Sequence, residues 1–230
     1  MANRDNMIAF IERTTGYRYG ETVGTLKNAD AHTGEENYKH LRRRMAYFAV
    51  DANNIEEIIL AASNLAWNVE ELQIEKNQKA VKFQKLGTPK LARYLNDCLD
   101  KNYTRMENVY QDEMVLMEKV LVSHLQYSED TYSIGFVQNW IGYAHLYLYA
   151  LLMLNEREEV AKYKNASFFK YAPVPCNDLI SAKISKNFDI KLDNDIPFME
   201  CNNSDTFRDW NRKLEDALDG KYIKLEACFA

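Results

Sequence analysis

The fold turns on residues 141–154, Ile141-Gly142-Tyr143-Ala144-His145-Leu146-Tyr147-Leu148-Tyr149-Ala150-Leu151-Leu152-Met153-Leu154. The run carries no acid, lysine or arginine, and wound as an α-helix it is apolar on nearly every side. A helix that is hydrophobic all round belongs inside a large core or in lipid. At 14 residues, with His145 and three tyrosines inside it, the run is too short and too polar to span a bilayer. It is therefore expected to be the central helix of a bundle. The same pattern extends over about 131–163 through Phe136, Trp140, Tyr143, Tyr147, Leu151 and Leu154, with Trp140 and Leu151 in the core.

Outward from this centre the chain reads as helix after helix. Over 90–125, Leu95, Leu99, Tyr103, Met106, Tyr110, Met114, Met117, Leu121 and Leu125 recur at steps of three and four, as one helix or two in tandem. Pro89 suits the first turn there. Over 54–72, Ile55, Ile58, Ile59, Ala62, Leu65, Ala66, Val69 and Leu72 share one arc, with Asn53 as N-cap and Glu56 and Glu57 at the positive end of the dipole. A helix over 35–50 places Tyr38, Leu41, Met45, Phe48 and Ala49 on its core side. A short one over 4–14 stops before Gly16, and 16–34 is a connection. No proline occurs between Pro89 and Pro173, as long helices require.

The last third changes character. Residues 169–175, Phe-Lys-Tyr-Ala-Pro-Val-Pro, read as an extended loop, and 204–218 as a helix ending at Gly220. Phe188, Ile190 and Leu192 alternate with polar residues, as do Ile223, Leu225, Ala227 and Phe229, and Val81-Lys82-Phe83 is a third short candidate for a strand. The expected fold is mainly α: a multi-helix bundle with a small β element or extended arms in the C-terminal third. At 230 residues it reads as a single domain, 1–230, with a helical body over about 1–165 and a C-terminal extension over about 166–230.

Composition narrows the function classes. The chain is 47% hydrophobic and 27% charged, ordinary for a globular protein. Its net charge of −5 lacks the basic excess of a duplex-DNA binder, so nucleic acid is not the expected partner. The start, with Asp5 and no apolar run, does not read as a secretory signal. Cys98, Cys176, Cys201 and Cys228 form no CxxC pair and suit reduced thiols in the cytoplasm. Fifteen tyrosines, each with an apolar body and a polar tip, suit contact surfaces.

Motifs of chemistry are missing. GxxxxGK[ST], GxGxxG, GxSxG, HExxH and ExxH do not occur, and Glu156 and Glu159 alone stand in an ExxE relation. No metal, no cofactor and no catalytic residue is expected. Gly16, Gly20 and Gly24 repeat every four residues, but Arg18, Glu21 and Thr22 between them make a turn region the better reading than close helix packing.

Three constellations stand out, each with a plainer alternative. Glu36, His40, Arg43, Arg44 and Tyr47 share the polar side of the 35–50 helix, where His40 stands one turn from both Glu36 and Arg44; the plain reading is a solvated face. Gln138, His145, Tyr149 and Glu156 form one polar row on the central helix, which lines a pocket or a partner groove, or else is the edge that reaches water. Lys76, Lys79, Lys82, Lys85, Lys90 and Arg93, with Phe83 and Tyr94 among them, have the makings of a site for single-stranded nucleic acid or a phosphorylated ligand. Their steps of three drift around a helix, so a charge-protected edge is the alternative. His124 falls in an apolar arc and reads as a core histidine.

A helical, mildly acidic, Tyr-rich chain without catalytic signatures fits a non-catalytic protein-binding module. The specific expectation is a cytosolic inhibitor, such as an immunity protein against a bacterial toxin encoded nearby, because an inhibitor needs only a rigid scaffold and a complementary surface. The binding residues expected are Gln138, His145, Tyr149 and Glu156, and then Glu36, His40 and Tyr47. The alternatives are a structural subunit of a viral, phage or other symmetric assembly, with homo-oligomers, and a helical enzyme with an unfamiliar site.

Overall fold

The computed structural model describes residues 4–22, 35–69, 78–125, 133–192 and 201–230. The protein is mainly α-helical; three quarters of the described residues lie in eleven α-helices, and no strand occurs among them. In chain order these are α1 (Arg4–Thr15), α2 (Glu35–Val50), α3 (Ile55–Trp67), α4 (Gln78–Asp100), α5 (Met106–Leu125), α6 (Ile134–Leu154), α7 (Glu158–Ala161), α8 (Phe168–Tyr171), α9 (Asp178–Phe188), α10 (Ser204–Leu218) and α11 (Lys224–Ala227), with a 3-10 turn at Lys162–Asn165.

Helix α6 is the axis. Ser133 caps it, its hydroxyl accepting from the Phe136 amide at 2.9 Å. Every residue from Gly135 to Leu152 is buried, and so is Leu154. Helices pack around this element: α3 runs along it, α1 and α2 flank it, α4 packs against α3, and α5 packs against α4. One contiguous apolar cluster reaches from Met7 to Phe229, with Trp140 and Leu151 fully buried inside it.

Several boundaries depart from expectation. The N-cap of α3 is Asn54 and not Asn53; its side-chain oxygen accepts from the Glu57 amide at 2.9 Å, and its amide donates to the Glu57 carboxylate at 2.7 Å. Pro89 sits inside α4, which begins at Gln78. A proline in mid-helix removes one backbone hydrogen bond. The segment before it stays helical because Phe83 packs against Trp67 and Trp140, at ring separations of 5.5 and 5.8 Å. Of the two readings for 90–125, one helix or two in tandem, the structure has two, divided at 101–105, where Ser167 accepts from the Tyr103 amide at 2.7 Å. Helix α6 stops at Leu154, not near 163. Asn155, fully buried, donates there to the carbonyls of Ala49 at 3.2 Å and Ala52 at 2.9 Å and accepts from the Arg157 amide.

The C-terminal third contains neither the expected strands nor exposed arms among its described residues. Phe188 closes α9, Asp189 turns left-handed, and the 223–229 run holds the short helix α11 at Lys224–Ala227. Val81, Lys82 and Phe83 are helical. Residues 172–177 are extended, yet no strand pairs with them. Asn211 of α10 satisfies Val174 instead, accepting from its amide at 2.8 Å and donating to its carbonyl at 3.3 Å, while His145 holds the Pro173 carbonyl at 2.8 Å. Those side chains replace a neighbouring strand, so the buried backbone is satisfied without a sheet. Phe168, Phe169, Val174 and Cys176 are core residues, not contacts held out to other subunits.

Candidate protein-binding groove

Helix α2 carries more apolar surface than the core can cover. At about 100° per residue, Ala46, Ala49 and Val50 fall on one arc and Leu41, Met45 and Phe48 on the next. The first arc is buried. The second is not: Leu41 is 48% exposed and Phe48 51%, although both were expected on the core side. Helix α3 repeats the arrangement. Ile55, Ile58, Ile59, Ala62, Leu65 and Ala66 are buried, while Leu60 on the opposite arc is 53% exposed.

Because α2 and α3 lie side by side, the two spare arcs form one groove. It encloses about 660 Å³, floored by Leu41, Met45, Phe48, Leu60 and Ala61, with Arg44 and Glu57 as its charged members. Its geometry is fixed from behind. Arg42 donates to the Asn68 carbonyl at 2.8 Å, and Arg43 makes a bidentate pair with Glu21 across to the segment after α1. Tyr47 packs edge-on against Phe48 and Tyr17, at 5.2 and 6.2 Å. The trough lies between two helices and is mostly apolar, with Arg44 and Glu57 as charges of opposite sign in its lining.

The polar row of the central helix is a set of internal fasteners. Gln138, His145 and Tyr149 are all buried and present no face to a partner. Gln138 donates to the Tyr110 hydroxyl, which donates in turn to the Ser204 carbonyl. It also hydrogen-bonds Glu113, a fully buried carboxyl that desolvation pushes up to about 8. His145 gives its Nδ1 proton to Pro173, and burial lowers its pKa to about 4, so the ring is neutral. Tyr149 donates to Glu226 at 2.9 Å, and burial beside that carboxylate raises the phenol well above its ordinary range. Glu156 alone is exposed, ion-paired with Arg4 at 2.5 Å.

Of the second face, His40 and Tyr47 are half-buried on α2, and the Glu36 side chain lies outside the described residues. Arg43 is paired with Glu21. The basic cluster disperses as well. Lys82 and Lys85 are exposed on α4, Lys90 and Arg93 line a separate cleft, and Lys76 and the Lys79 side chain lie outside the described residues. With 81–83 helical there is no strand edge for these charges to protect. The His124 side chain is likewise outside the described residues.

The groove residues themselves went unrecognised in the sequence. Their signal was present in the width of the α2 stripe, about 200° of apolar arc from Phe48 round to Val50, wider than one packing neighbour covers. No group of three or more His, Cys, Asp and Glu side chains among the described residues is placed to share a metal ion, and no helix among them is long and apolar enough to cross a membrane. Comparison with protein-family models, with curated proteins and with solved structures returned no match.

Proposed function

We propose that this chain is a non-catalytic protein-binding module, folded as one domain, that takes an amphipathic helix of a partner protein into the groove between α2 and α3. The observation that carries this is the half-exposure of Leu41, Phe48 and Leu60 around a single trough. Large apolar side chains gathered on two adjacent helices mark interaction sites more often than they mark idle surface. Leu41 to Phe48 spans two helical turns, a length matched by anchors at i, i+4 and i+7 of the incoming helix. Arg44 and Glu57 set its direction, each meeting an opposite charge on the partner.

The biological form we favour is a cytosolic inhibitor of the immunity type, directed against a toxin encoded beside it. Such an inhibitor needs a rigid scaffold and a complementary trough, both of which the all-round burial of α6 and the groove supply. The test is co-expression with each neighbouring gene product, followed by binding measurements on Phe48→Glu and Leu60→Glu. A stable complex lost in both variants, with circular dichroism and melting temperature preserved, supports the proposal. A complex indifferent to both substitutions overturns the groove. A chain that self-associates through these residues, seen by analytical ultracentrifugation, replaces the inhibitor with a structural subunit.

A further inference from the structure

A second cleft lies on the opposite pair of helices and has a different chemistry. One face of α4 contributes Lys90, Arg93, Tyr94, Asp97 and Cys98, with Lys101 just beyond its end; α5 contributes Asp112, Val115, Leu116 and Lys119. Together they enclose about 510 Å³, within the range of small-molecule sites. Four cations face two carboxylates, in a chain whose net charge is −5.

The charges are not evenly placed. Asp112 is consumed at one end, accepting from Lys101 at 2.7 Å and from the Tyr103 hydroxyl at 2.6 Å. The other end is lined by Lys90, Arg93 and Lys119, with Asp97 one turn along α4 from Arg93. Lys90 reaches across to the Lys119 carbonyl at 2.9 Å, which draws its ammonium to the α5 side. Arg93 makes no ion pair among the described residues. Between the charged ends the wall is apolar, formed by Leu116 and by Val115, which is 50% exposed. Tyr94 is buried at the cleft, and its hydroxyl finds no nitrogen or oxygen partner, only the Cys98 thiol.

We propose that this cleft binds a small organic phosphate, the phosphoryl group held by Lys90, Arg93 and Lys119 and the organic part lying over Val115 and Leu116. Arg93 offers the planar fork that engages phosphate oxygens in pairs, and the lysines act as point charges beside it. The thiol and phenol in the cleft stay protonated, because burial pushes Cys98 up to about 12 and Tyr94 further above its ordinary value, so the site holds its ligand without attacking it. The site shares no residue with the α2–α3 groove, and its failure would leave the protein-binding reading untouched.

The experiment titrates the purified chain with phenyl phosphate, inorganic phosphate and phenol at constant ionic strength, followed by calorimetry. The expected order is phenyl phosphate tightest, inorganic phosphate about tenfold weaker, and phenol without saturable binding. Arg93→Ala with Lys119→Ala should weaken phenyl phosphate at least tenfold. Lys82→Ala with Lys85→Ala, on the same helix outside the cleft, should change nothing. Absence of saturable phosphate binding overturns the proposal, as does equal loss in the Lys82/Lys85 control, which signals diffuse charge. Tighter binding of a single-stranded oligonucleotide than of phenyl phosphate, through the same residues, overturns the small-molecule assignment.

Discussion

Gly87 of α4 stands where Trp140 of α6 needs the space: a Cβ at residue 87 would lie 2.6 Å from the edge of the indole ring. The ring is fully buried and packed edge-on against Trp67 at 5.1 Å, so it has nowhere to retreat. A glycine that weakens helix propensity is here the condition for joining two helices.

Gly87→Ala should therefore destabilise the protein by about 1–3 kcal/mol despite the better helix propensity of alanine. Trp140→Ala should cost about 3–5 kcal/mol. Combined, the two should cost clearly less than their sum, because removing the indole frees the space that the added methyl requires. Urea unfolding of the three variants checks this, and strict additivity would refute the contact as the cause.

Asn211→Ala should lower stability by at least about 2 kcal/mol. Both the amide and the carbonyl of Val174 lose their side-chain partner in a place water does not reach. Asn211→Asp should be no better, since a carboxylate accepts from the amide but repels the carbonyl. Chemical denaturation distinguishes these outcomes from a substitution that acts only through the helix propensity of α10, for which alanine would cost nothing.

Stability should depend on pH through two buried groups of opposite sign. His145 has an ordinary value of 6.5 and titrates at about 4 in the fold, so the stability tied to its neutral form is complete above 6.5 and lost as pH falls through 4. Glu113 has an ordinary value of 4.5 and titrates at about 8 when buried. The stability tied to its protonated form is complete below 4.5 and lost as pH rises through 8. Glu113→Gln should raise the melting temperature relative to the parent at pH 8 and leave the two nearly equal at pH 4. A difference that stays constant with pH would show that Glu113 is not the titrating group.

The central helix was legible from residues 141–154 alone, because a charge-free run with apolar groups on every side has few stable places to go. The stripes at 55–66 and 106–117 were legible for the same reason: burial of a continuous face outweighs local detail. The mainly helical class follows from these elements together. What stayed hidden was decided by contacts between segments distant in sequence. The run at 169–175 reads as an extended loop by composition, and the arrival of Asn211 and His145 at Val174 and Pro173 satisfies its buried backbone without a sheet. The short alternating run 223–229 reads as a strand by its spacing, yet Lys224–Ala227 is helical, with Leu225, Ala227 and Phe229 packed into the core. The polar row Gln138, His145 and Tyr149 has the spacing of a surface stripe, yet partners on α5, the 173 segment and α11 draw it inside. Conversely, Leu41 and Phe48 have the spacing of core residues and remain at the surface, because α3 covers the neighbouring arc of α2 and leaves theirs open. Periodicity fixes which residues share a face; only the tertiary arrangement decides which faces meet another element and which remain to bind.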